Sequence, residues 1–477
     1  MAGVECAIKL NFDLSLTDQI IIESQMKITN WAYNKLLEYA LAYRIEYAKT
    51  NDPKIRDILY TKYGLRNLLP KMKEENPFLK TVHSSPLKNA ALRLTSSIKD
   101  YQDSRKGKRK GKKTNFPKFR SHKVKPFSLL YDEIDKGIKI DGRSLRISLG
   151  TTAEGKRLYV TGVLEKALSE FDGIEKVCNL RIKKEHDRFF AVFTVVRQFR
   201  SEAKAANPVR VIALDPNHKN LAYGVDNQGC AIEITNFPGM KYFDREIDAI
   251  KSKRDKCKRK SVAVVEDGKV LYYKASRRWT RLDEALKSLQ QKRRDQTKQM
   301  LQTLSNFLSK NYEVIAIGDY TPRGGGISRG MRRSMNNRSL IGRFKTQVAW
   351  TAFRSGKRYL EWPEHGSTKT CSQCSYKLEF GLVPDIRKWQ CPSCLTHHHR
   401  DENAAMNGLK KVMLENLPCS GQIPQIKTRH MVRFTGQGLE LIQMPAMGSR
   451  ETSPRKPVKR RASMSEMRDS VSQGVSA

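Results

Sequence analysis

The strongest constraint on the fold is a pair of cysteine doublets in the last quarter of the chain. Each doublet is a Cys-x2-Cys unit, sixteen residues separate the two, and the four cysteines are Cys371, Cys374, Cys391 and Cys394. Four thiolates in two such knuckles suit a tetrahedral Zn²⁺, with Zn–S bonds of about 2.3 Å. Because a closed shell of four sulfurs leaves no position for a substrate, the spacing predicts a structural zinc. The three histidines at 397–399 are rival ligands, but consecutive residues cannot all face one metal, so we interpret them as a basic or nucleic-acid-facing patch.

The charge balance narrows the class of partner. Among 477 residues there are 90 Lys and Arg against 49 Asp and Glu, a formal net charge of +41, which predicts a polyanionic partner. Nine cysteines in so long a chain do not form a disulfide framework and favour metal binding in a reducing compartment. No stretch reaches the roughly 18 apolar residues of a spanning helix, and the first residues lack a secretory pattern. We therefore expect a soluble intracellular protein without a membrane partner.

The first hundred residues predict a strand followed by helices. The strand is expected at Ala7–Phe12, and Thr17-Asp18 is expected to cap a long helix. A second helix is expected from about 86 to 101. The apolar stripe predicted to bury the first helix consists of Met26, Trp31, Leu37, Leu41 and Ile45.

A basic run follows these helices. Residues 105–125 hold eleven Lys or Arg and no acid, interleaved with Phe116, Pro117 and Phe119. A solvated flexible run is the plain alternative. The aromatic groups favour an ordered nucleic-acid contact, since stacking on bases needs planar side chains beside the charge. The basic residues selected as nucleic-acid-binding are Lys106, Lys108, Arg109, Lys110, Lys112, Lys113, Lys118 and Arg120.

The middle of the chain changes from helical to alternating periodicity. A hairpin turning at Asp141-Gly142 and strand pairs near 177–182 and 189–196 predict a small β-rich domain, and the polar stretch 197–208 predicts a linker. The apolar run 209–214 then opens three strands, the pattern with which an RNase H-like domain begins. Basic helical segments at 251–260 and 277–298 predict an insertion, the strand 314–317 follows, and the aperiodic tail is predicted to be disordered.

Acidic residues stand at predicted element ends. Asp215 follows an apolar strand, and Asp401 opens a helix. Two divalent ions about 3.5 to 4 Å apart can hydrolyse a phosphodiester when several carboxylates hold them. Taken singly, Asp215 is more often a turn residue and Asp401 more often a helix N-cap. Together they predict part of a metal-dependent nuclease site.

The middle acid of such a site has no obvious source. Gly318, at the end of the strand after 314, has no side chain, and Asp319 points to the opposite side because strand side chains alternate. Glu364 lies in a loop between a strand-like segment, 358–362, and the first cysteine doublet. A loop glutamate is usually only solvated, but this one is well placed to complete a site. Asp319 is kept as a reserve.

Five motifs in this sequence together resemble transposon-encoded TnpB nucleases and their eukaryotic Fanzor relatives. The resemblance covers about residues 5 to 415, and the last two motifs are the specific ones. The motifs are Asn34 within Trp31–Leu36, Phe116–Ser121, Asp215 within Ala213–Asn217, Ser367–Cys374, and Arg400–Ala405.

The resemblance implies a multidomain α+β and α/β chain. A helical recognition domain (15–104) is expected as an insertion in a β-barrel wedge domain, which would consist of strand 1–14 and residues 105–200. An RNase H-like RuvC nuclease domain is expected at 208–370, with a basic helical lid at about 240–310. A zinc-binding target-nucleic-acid-binding insert (371–394), the last RuvC segment (395–417) and a disordered basic tail (418–477) would follow.

The resemblance also implies the activity and its partners. It predicts an RNA-guided DNA endonuclease that uses a bound guide RNA, pairs it with double-stranded target DNA beside a short flanking motif, and needs no obligate protein partner. Asp215 and Asp401 match the first and last RuvC acids, and Glu364 falls where a rearranged subset of the family carries the middle acid. These three are expected to hold catalytic Mg²⁺, two ions in all, beside the structural Zn²⁺.

The sequence leaves two alternative functions and the cellular location of the protein undecided. A nuclease-dead relative would bind DNA through its guide without cutting, and a transposase of the Asp-Asp-Glu kind would join DNA ends without RNA. The segment 454–461 resembles a nuclear localisation signal, which predicts a nuclear protein if the source is eukaryotic and a cytoplasmic one otherwise. A nucleic-acid-binding tail is the plain alternative.

Overall fold

The structure is a computed structural model that divides into two units. It describes residues 3–109, 113–122, 126–152, 154–199, 209–218, 220–235, 238–258, 261–266, 269–320, 339–380, 382, 386–416, 424–435 and 438–444. The first unit comprises 1–205, 240–299 and 349–358, and the second comprises 206–239, 300–348 and 359–477.

Helices dominate the start of the first unit. After strand β1 (Val4–Asp13) come α1 (Leu16–Thr50), α2 (Pro53–Tyr60), α3 (Leu69–Glu75) and α4 (Ser84–Arg105). Short 3₁₀ helices lie at Arg66–Leu68 and Pro77–Thr81. The long helix begins one residue after Ser15, whose side chain accepts a hydrogen bond from the backbone N–H of Asp18, so the predicted cap at Thr17-Asp18 is wrong by two residues.

The buried face of α1 differs from the predicted stripe. Met26 and Leu37 are buried, whereas Trp31 is 36 % and Ile45 61 % exposed. The helix instead packs Leu36, Leu37 and Ala40 against Leu87 and Leu94 of α4. Near the C-terminal end of α1, Leu41, Tyr43 and Tyr47 still pack against this cluster, so Ile45 is exposed because it lies on another face of the helix.

A seven-stranded antiparallel sheet forms the rest of this part of the first unit. Its strands are β1, β2 (Leu129–Tyr131), β3 (Ile138–Asp141), β4 (Ser144–Thr151), β5 (Arg157–Leu164), β6 (Ile174–Glu185) and β7 (Arg188–Arg197). The order is β2-β6-β7-β1-β5-β4-β3. The first strand therefore lies at the centre, with Leu10 opposite Ala191 and Phe12 opposite Leu164, and the helices α1–α4 are an insertion between two strands of one sheet. The barrel form stays a prediction, because the described pairings give a linear order.

The basic insertion is helical, as its composition suggests, but contains an additional hairpin. It consists of α5 (Pro238–Lys258), β11 (Val262–Glu266), β12 (Lys269–Lys274) and α6 (Arg277–Asn311). Two ion pairs join the helices: Arg254 Nη1 lies 2.7 Å from Asp283 Oδ1, and Arg293 Nε lies 2.8 Å from Asp244 Oδ1. These two ion pairs hold α5 and α6 against each other.

The second unit is built on a mixed seven-stranded sheet. Its strands are β8 (Val211–Pro216), β9 (Ala222–Asp226), β10 (Cys230–Ile234), β13 (Val314–Gly318), β14 (Arg358–Trp362), β17 (Thr428–Thr435) and β18 (Gly438–Gln443), in the order β14-β13-β8-β9-β10-β17-β18. Every residue of β8 and β13 is buried, and the two run parallel, with Ala316 opposite Ala213. Strands covered on both faces read as continuous apolar runs, which is why both were visible in the sequence.

Helices α7 (Ile341–Arg354) and α8 (Arg400–Asn416) and a small hairpin complete the described elements. The hairpin pairs β15 (Lys388–Gln390) with β16 (His397–His399). Helix α8 packs Ala405 and Leu409 into one cluster with Val211 and Ala213 of β8. The first residues of α8 are therefore held in the same unit as the carboxyl end of β8.

The predicted disordered tail, 418–477, is wrong for part of its length. Residues 428–435 form β17, which runs parallel to β10, and residues 438–443 form β18, which runs antiparallel to β17. In β17 only Val432 and Phe434 are fully buried, so this edge of the sheet has too few apolar residues to reveal itself by periodicity. The basic segment 454–461 lies outside the described residues.

None of the helices in the described ranges combines the length and the apolar composition required to cross a bilayer.

Candidate active site and metal centre

The two cysteine doublets converge. Their four Sγ atoms all lie within 4.8 Å of one another, with 3.6 Å between Cys371 and Cys394 and 3.6 Å between Cys374 and Cys391. A tetrahedron with Zn–S bonds of about 2.3 Å has S···S edges of about 3.8 Å. Each knuckle ends on a residue with positive φ, Ser375 at 64° and Leu395 at 57°. The donor set and its spacing fit a zinc ion.

Neighbouring groups contact the sulfur of Cys371 without being ligands themselves. His398 Nε2 lies 3.1 Å from Cys371 Sγ, and the imidazole stacks on Trp389 with ring centroids 4.8 Å apart. The backbone N–H of Gln373 donates to the same sulfur at 3.4 Å. Hydrogen bonds of this kind stabilise thiolates and orient them. Of the three consecutive histidines, His398 thus contacts the cysteine cluster through Cys371 and is not one of the four ligands.

Two buried asparagines clamp the first knuckle to α8. Asn403 donates from Nδ2 to the carbonyls of Ser367 and Thr370 at 3.2 and 2.8 Å, and its Oδ1 accepts from the N–H of Ser372 at 2.8 Å. Asn407 donates to the same two carbonyls at 2.8 and 2.7 Å. The loop leading into the cysteines and the helix that carries Asp401 therefore form one hydrogen-bonded body.

The sheet and α8 bring Asp215, Glu364 and Asp401 together. Asp215 is the fifth of six residues in β8 and is 6 % exposed, and Asp401 is the second residue of α8 and is 4 % exposed. Burial raises the pKa of Asp215 well above its ordinary value, and the charges of Glu364 and Asp401 raise that pKa further. The charges of Glu364 and Asp401 thus act on the carboxyl group of Asp215.

Glu364 occupies the space above Gly318. A Cβ built on Gly318 would lie 2.0 Å from Glu364 Oε1 and 2.6 Å from its Cδ and Cγ. Burial and the nearby Asp319 raise the pKa of Glu364 to about 7, although Lys345 and a hydrogen bond from the Tyr320 backbone act in the opposite direction. The Oε1 atom is buried and has no hydrogen-bond partner. The carboxyl group of residue 364 thus lies where a side chain from residue 318 would otherwise project.

Asp319 has a different position from the other acids. Its side chain is exposed, its Oδ1 accepts a hydrogen bond from the backbone N–H of Glu364 at 3.0 Å, and its own N–H donates to the carbonyl of Trp362 at 2.9 Å. These two bonds tie the end of β13 to the loop after β14. Asp319 therefore positions the backbone of Glu364.

Arg387 is a site residue that sequence reasoning missed. Its Nη1 lies 2.8 and 2.6 Å from the two carboxylate oxygens of Asp401, and only 28 % of its side chain is exposed. It also lowers the pKa of Asp215, as does Arg400. An isolated arginine before the second cysteine doublet has no local signal, because its partner is fourteen residues away and meets it only through the β15–β16 hairpin.

The acidic group fits a divalent cation by its chemistry. Its carboxylate oxygens are the hard ligands that such a cation prefers. A bound cation would lower the raised pKa values of Asp215 and Glu364 and would give the buried Glu364 Oε1 a partner. The carboxylate oxygens of its three acids do not all lie within 4.8 Å of one another. Within the described ranges, the four cysteines are the one set of three or more His, Cys, Asp or Glu ligand atoms that all lie within 4.8 Å of one another.

A second ion pair secures the unpredicted strand β17. Arg429 donates from Nε and Nη2 to Glu402 at 2.9 Å each, and the hydroxyl of Tyr223 donates to Glu402 at 2.8 Å. Glu402 is 8 % exposed and directly follows Asp401. The last strands of the sheet and the start of α8 therefore depend on each other.

The predicted basic run lies on the surface of the first unit. Lys106, Lys108, Arg109, Lys113 and Lys118 are exposed, whereas Lys110 and Lys112 lie outside the described residues. Arg109 pairs with Asp100 at 3.0 Å.

Arg120 is half-buried and held from two directions. Its backbone N–H donates to Asn34 Oδ1 at 2.9 Å, and its carbonyl accepts from the side-chain amides of Asn30 and Asn34 at 3.0 Å each. Its guanidinium lies 5.1 Å from the ring centroid of Phe127. The motif residue Asn34 thus orders the Phe116–Ser121 element.

Comparison with known proteins gives relatives of one kind. The family profile "Cas12f1-like, TNB domain" matches residues 342–408, which include the cysteine cluster, Glu364 and Asp401. A protein of Mycobacterium tuberculosis (strain CDC 1551 / Oshkosh) named "Putative RNA-guided DNA endonuclease" is 23% identical over 318 residues, which are 65% of this chain and 64% of that protein. Its counterpart in strain H37Rv has the same values.

Solved structures with a detectable likeness are Cas12 complexes. The Cas12f1–sgRNA–target DNA complex aligns over 85% of this chain and 98% of that chain, with 13% identity and a TM-score of 0.30. CasPhi-2 (Cas12j) bound to crRNA aligns over 89% and 99%, with 11% identity and a TM-score of 0.40.

Proposed function

We propose that this chain is an RNA-guided DNA endonuclease of RuvC type, with Asp215, Glu364 and Asp401 as its metal-binding acids. The observation that best supports this proposal is the position of Glu364. Its carboxyl group fills the space above Gly318, and its charge raises the pKa of Asp215. Asp215 and Asp401 are buried and Glu364 is partly exposed, and the charges of the other two acids raise the pKa of Asp215, an arrangement typical of functional sites. The profile match over residues 342–408 includes two of the three acids, Glu364 and Asp401, and supports this proposal.

The chain's own residues have separable roles in this proposal. Asp215 from β8, Glu364 from the loop after β14 and Asp401 from α8 would hold two Mg²⁺ ions. When bound, such ions supply an activated water and neutralise the leaving oxygen of a phosphodiester. Asp319 holds the backbone that carries Glu364. Arg387 balances the charge of Asp401 and must yield one or both carboxylate oxygens when a cation binds.

The cysteine cluster is proposed to hold a structural Zn²⁺. All four positions of its shell are filled by sulfur, so it offers no site for chemistry. Its contribution is geometric, because Asn403 and Asn407 transmit the position of the knuckle loop to α8.

The remaining assignments follow the same proposal. The guide RNA would select double-stranded target DNA by base pairing, and the protein would supply basic surfaces for the backbones. The run around Lys106–Lys118 and Arg120 is the proposed scaffold contact, and the basic helices α5 and α6 are the proposed lid. The domain names wedge, recognition and RuvC apply in this sense to the strands, helices and second sheet described above.

A nuclear location is proposed on the segment 454–461 alone. Chains ending at 444 and at 477, each fused to a fluorescent protein and expressed in eukaryotic cells, test this assignment. Nuclear signal from the longer chain only supports it, and equal distribution refutes it.

The test of function starts with the full chain and the RNA that co-purifies with it. That RNA is sequenced, and the complex is incubated with Mg²⁺ and a plasmid matched to the guide. We expect the wild type to cut the plasmid. Glu364→Ala should bind it equally well and cut at least about 100-fold more slowly. Glu379→Ala, which changes an exposed acid of the same region, is the matched control and should cut normally.

The outcomes separate the rival functions. A wild-type complex that binds the matched plasmid without cutting it identifies a nuclease-dead RNA-guided binder. A protein that carries no RNA but joins DNA ends is a transposase. Normal cutting by Glu364→Ala refutes the assignment of the middle acid.

A further inference from the structure

A basic cavity lies within the first unit, away from the residues selected as nucleic-acid-binding. Its volume is about 300 Å³, and it is bounded by α3, the 3₁₀ helix Pro77–Thr81, the start of α4, the turn before β3, and strands β4 and β5. Its charged lining residues are Lys73, Lys80, Lys136 and Arg157, and none of the described residues that line it is an acid. The cavity is open to solvent, and its cations repel one another less when an anion lies among them.

One of the four cations, Lys136, is paired with an acid that does not line the cavity. Glu133 lies 3.2 Å from Lys136 Nζ and 3.9 Å from Lys88 Nζ. Lys73 Nζ contacts the hydroxyl of Ser84 at 3.3 Å. Burial and the charge of Lys88 lower the pKa of Lys73. A neighbouring anion would oppose this lowering of the pKa of Lys73.

The cavity is formed by close backbone approaches. A Cβ on Gly150 of β4 would lie 1.9 Å from the carbonyl oxygen of Lys80, so only glycine lets the strand come this near to the 3₁₀ helix. The imidazole of His83 accepts from the N–H of Ser85 at Nδ1 and lies 3.3 Å from the carbonyl of Lys136 at Nε2. These two contacts favour a neutral His83 with its proton on Nε2. The positive charge of the cavity therefore comes from Lys and Arg.

Hydroxyl groups accompany the cations. Ser84, Ser148 and Thr151 line the same cavity, and Ser84 is the first residue of the 22-residue helix α4. The positive end of that helix's dipole adds to the four charges. Hydroxyls beside cations suit a ribose 2′-OH next to a phosphate, because each hydroxyl can donate and accept.

We propose that this cavity binds a phosphate of the guide RNA, together with the ribose attached to it, at a position where the RNA strand is unpaired. The inference rests on the proposed function, since it assigns a site to the RNA partner. A volume near 300 Å³ holds about one nucleotide and excludes a duplex, which favours a kinked or terminal single-stranded segment. The phosphate is either internal or at the 5′ end of the RNA.

The test uses the full chain and the RNA that co-purifies with it. Lys80→Ala/Arg157→Ala removes two exposed cations of the cavity without touching its buried wall. Lys71→Ala is the matched control, because Lys71 lies on α3 two residues from Lys73 and 79% of its side chain is exposed. Affinity for the RNA is measured between 50 and 200 mM salt, and phosphate-ethylation interference maps which phosphates matter. Unfolding midpoints verify that both variants fold.

We expect the double variant to bind RNA about tenfold or more weakly. Its log K against log salt should have a slope smaller by about 0.7 for each phosphate that the variant no longer neutralises. Ethylation interference should disappear at one or two adjacent phosphates and persist elsewhere. RNAs with a 5′-triphosphate, a 5′-monophosphate or a 5′-hydroxyl distinguish the two sources. A difference between them that the double variant abolishes assigns the 5′ end, and equal binding of the three assigns an internal phosphate.

The contrary results are distinct. RNA binding and interference that match the Lys71→Ala control overturn the cavity assignment while leaving the proposed function intact. A loss of target-DNA affinity with unchanged RNA affinity also overturns it, since the cavity would then serve DNA. A protein that carries no RNA at all refutes the proposed function itself, and the assignment falls with it.

Discussion

On the proposed function, a single methyl group at position 318 should abolish nuclease activity. The Cβ of Gly318→Ala would lie 2.0 Å from Glu364 Oε1, and ordinary contact begins near 3.4 Å, so the carboxyl group must withdraw by about 1.4 Å. Misplacing a catalytic group by about 1 Å can cost about 100-fold in rate. We therefore expect plasmid cleavage by Gly318→Ala to be slower by about 100-fold at saturating Mg²⁺.

The same substitution should leave the fold intact. The three nearest atoms to the new Cβ all belong to Glu364, whose side chain can rotate away. Replacing Gly by Ala in a permitted conformation changes the free energy of unfolding by only about 0.4–1 kcal/mol in the stabilising direction. Loss of activity without loss of stability is thus the signature. Gly342→Ala, where a Cβ meets nothing within 4 Å, is the control and should cut normally.

The assay compares cleavage of a matched plasmid with binding of guide RNA and target DNA by the same preparations. If Gly318→Ala cleaves within about threefold of the wild type, the space above residue 318 does not matter to catalysis and our reasoning is refuted. A second variant, Gly318→Glu/Glu364→Ala, moves the acid to the strand. It should recover part of the activity that Glu364→Ala loses.

Further measurements address the acids, the knuckle clamp and the C-terminal strands. Because the pKa of Glu364 is raised to about 7, protons compete with Mg²⁺ below that pH, and cleavage at limiting Mg²⁺ should fall about tenfold per unit as the pH drops from 7 to 5. Without Mg²⁺ the sign is opposite for stability: the folded chain holds this proton more tightly than the unfolded one, so the unfolding midpoint should decline as pH rises from about 4.5 to 7, and Glu364→Gln should flatten this decline. A midpoint that rises instead contradicts the assignment. Asn403→Ala removes three hydrogen bonds of the knuckle loop and should cost about 1–3 kcal/mol and release zinc faster to a chromogenic chelator, while unchanged release would exclude the clamp. A chain ending at 444 should cut like the full chain. A chain ending at 427 leaves Glu402 buried without Arg429, so its free energy of unfolding should fall by about 3–5 kcal/mol and it should precipitate. A soluble and active product would disprove this dependence.

The parts that the sequence predicted well are those whose signals are local. The cysteine doublets are close in sequence, and the structure brings their sulfurs together. Strands β8 and β13 are continuous apolar runs, so their positions and the acid at the end of β8 were visible. Helix α8 begins at Arg400, next to Asp401, as the helix-start pattern indicated.

The features that sequence reasoning missed depend on distant partners. Arg387 gains its place only through Asp401, and Arg429 only through Glu402. The cations of the cavity come from four separate segments, none of which is a basic run. Trp31 and Ile45 were assigned to the buried stripe of α1 but are exposed, because apolar residues on a helix do not by themselves show which face meets a neighbouring element.

The relation between Gly318 and Glu364 limits how such a site can change over generations. Since a side chain on one residue excludes the carboxyl group of the other, a gene cannot keep both acids in working position during a transfer. On the proposed function, an alignment column at position 318 alone would classify this chain as defective, although the carboxyl group is supplied from the loop after β14.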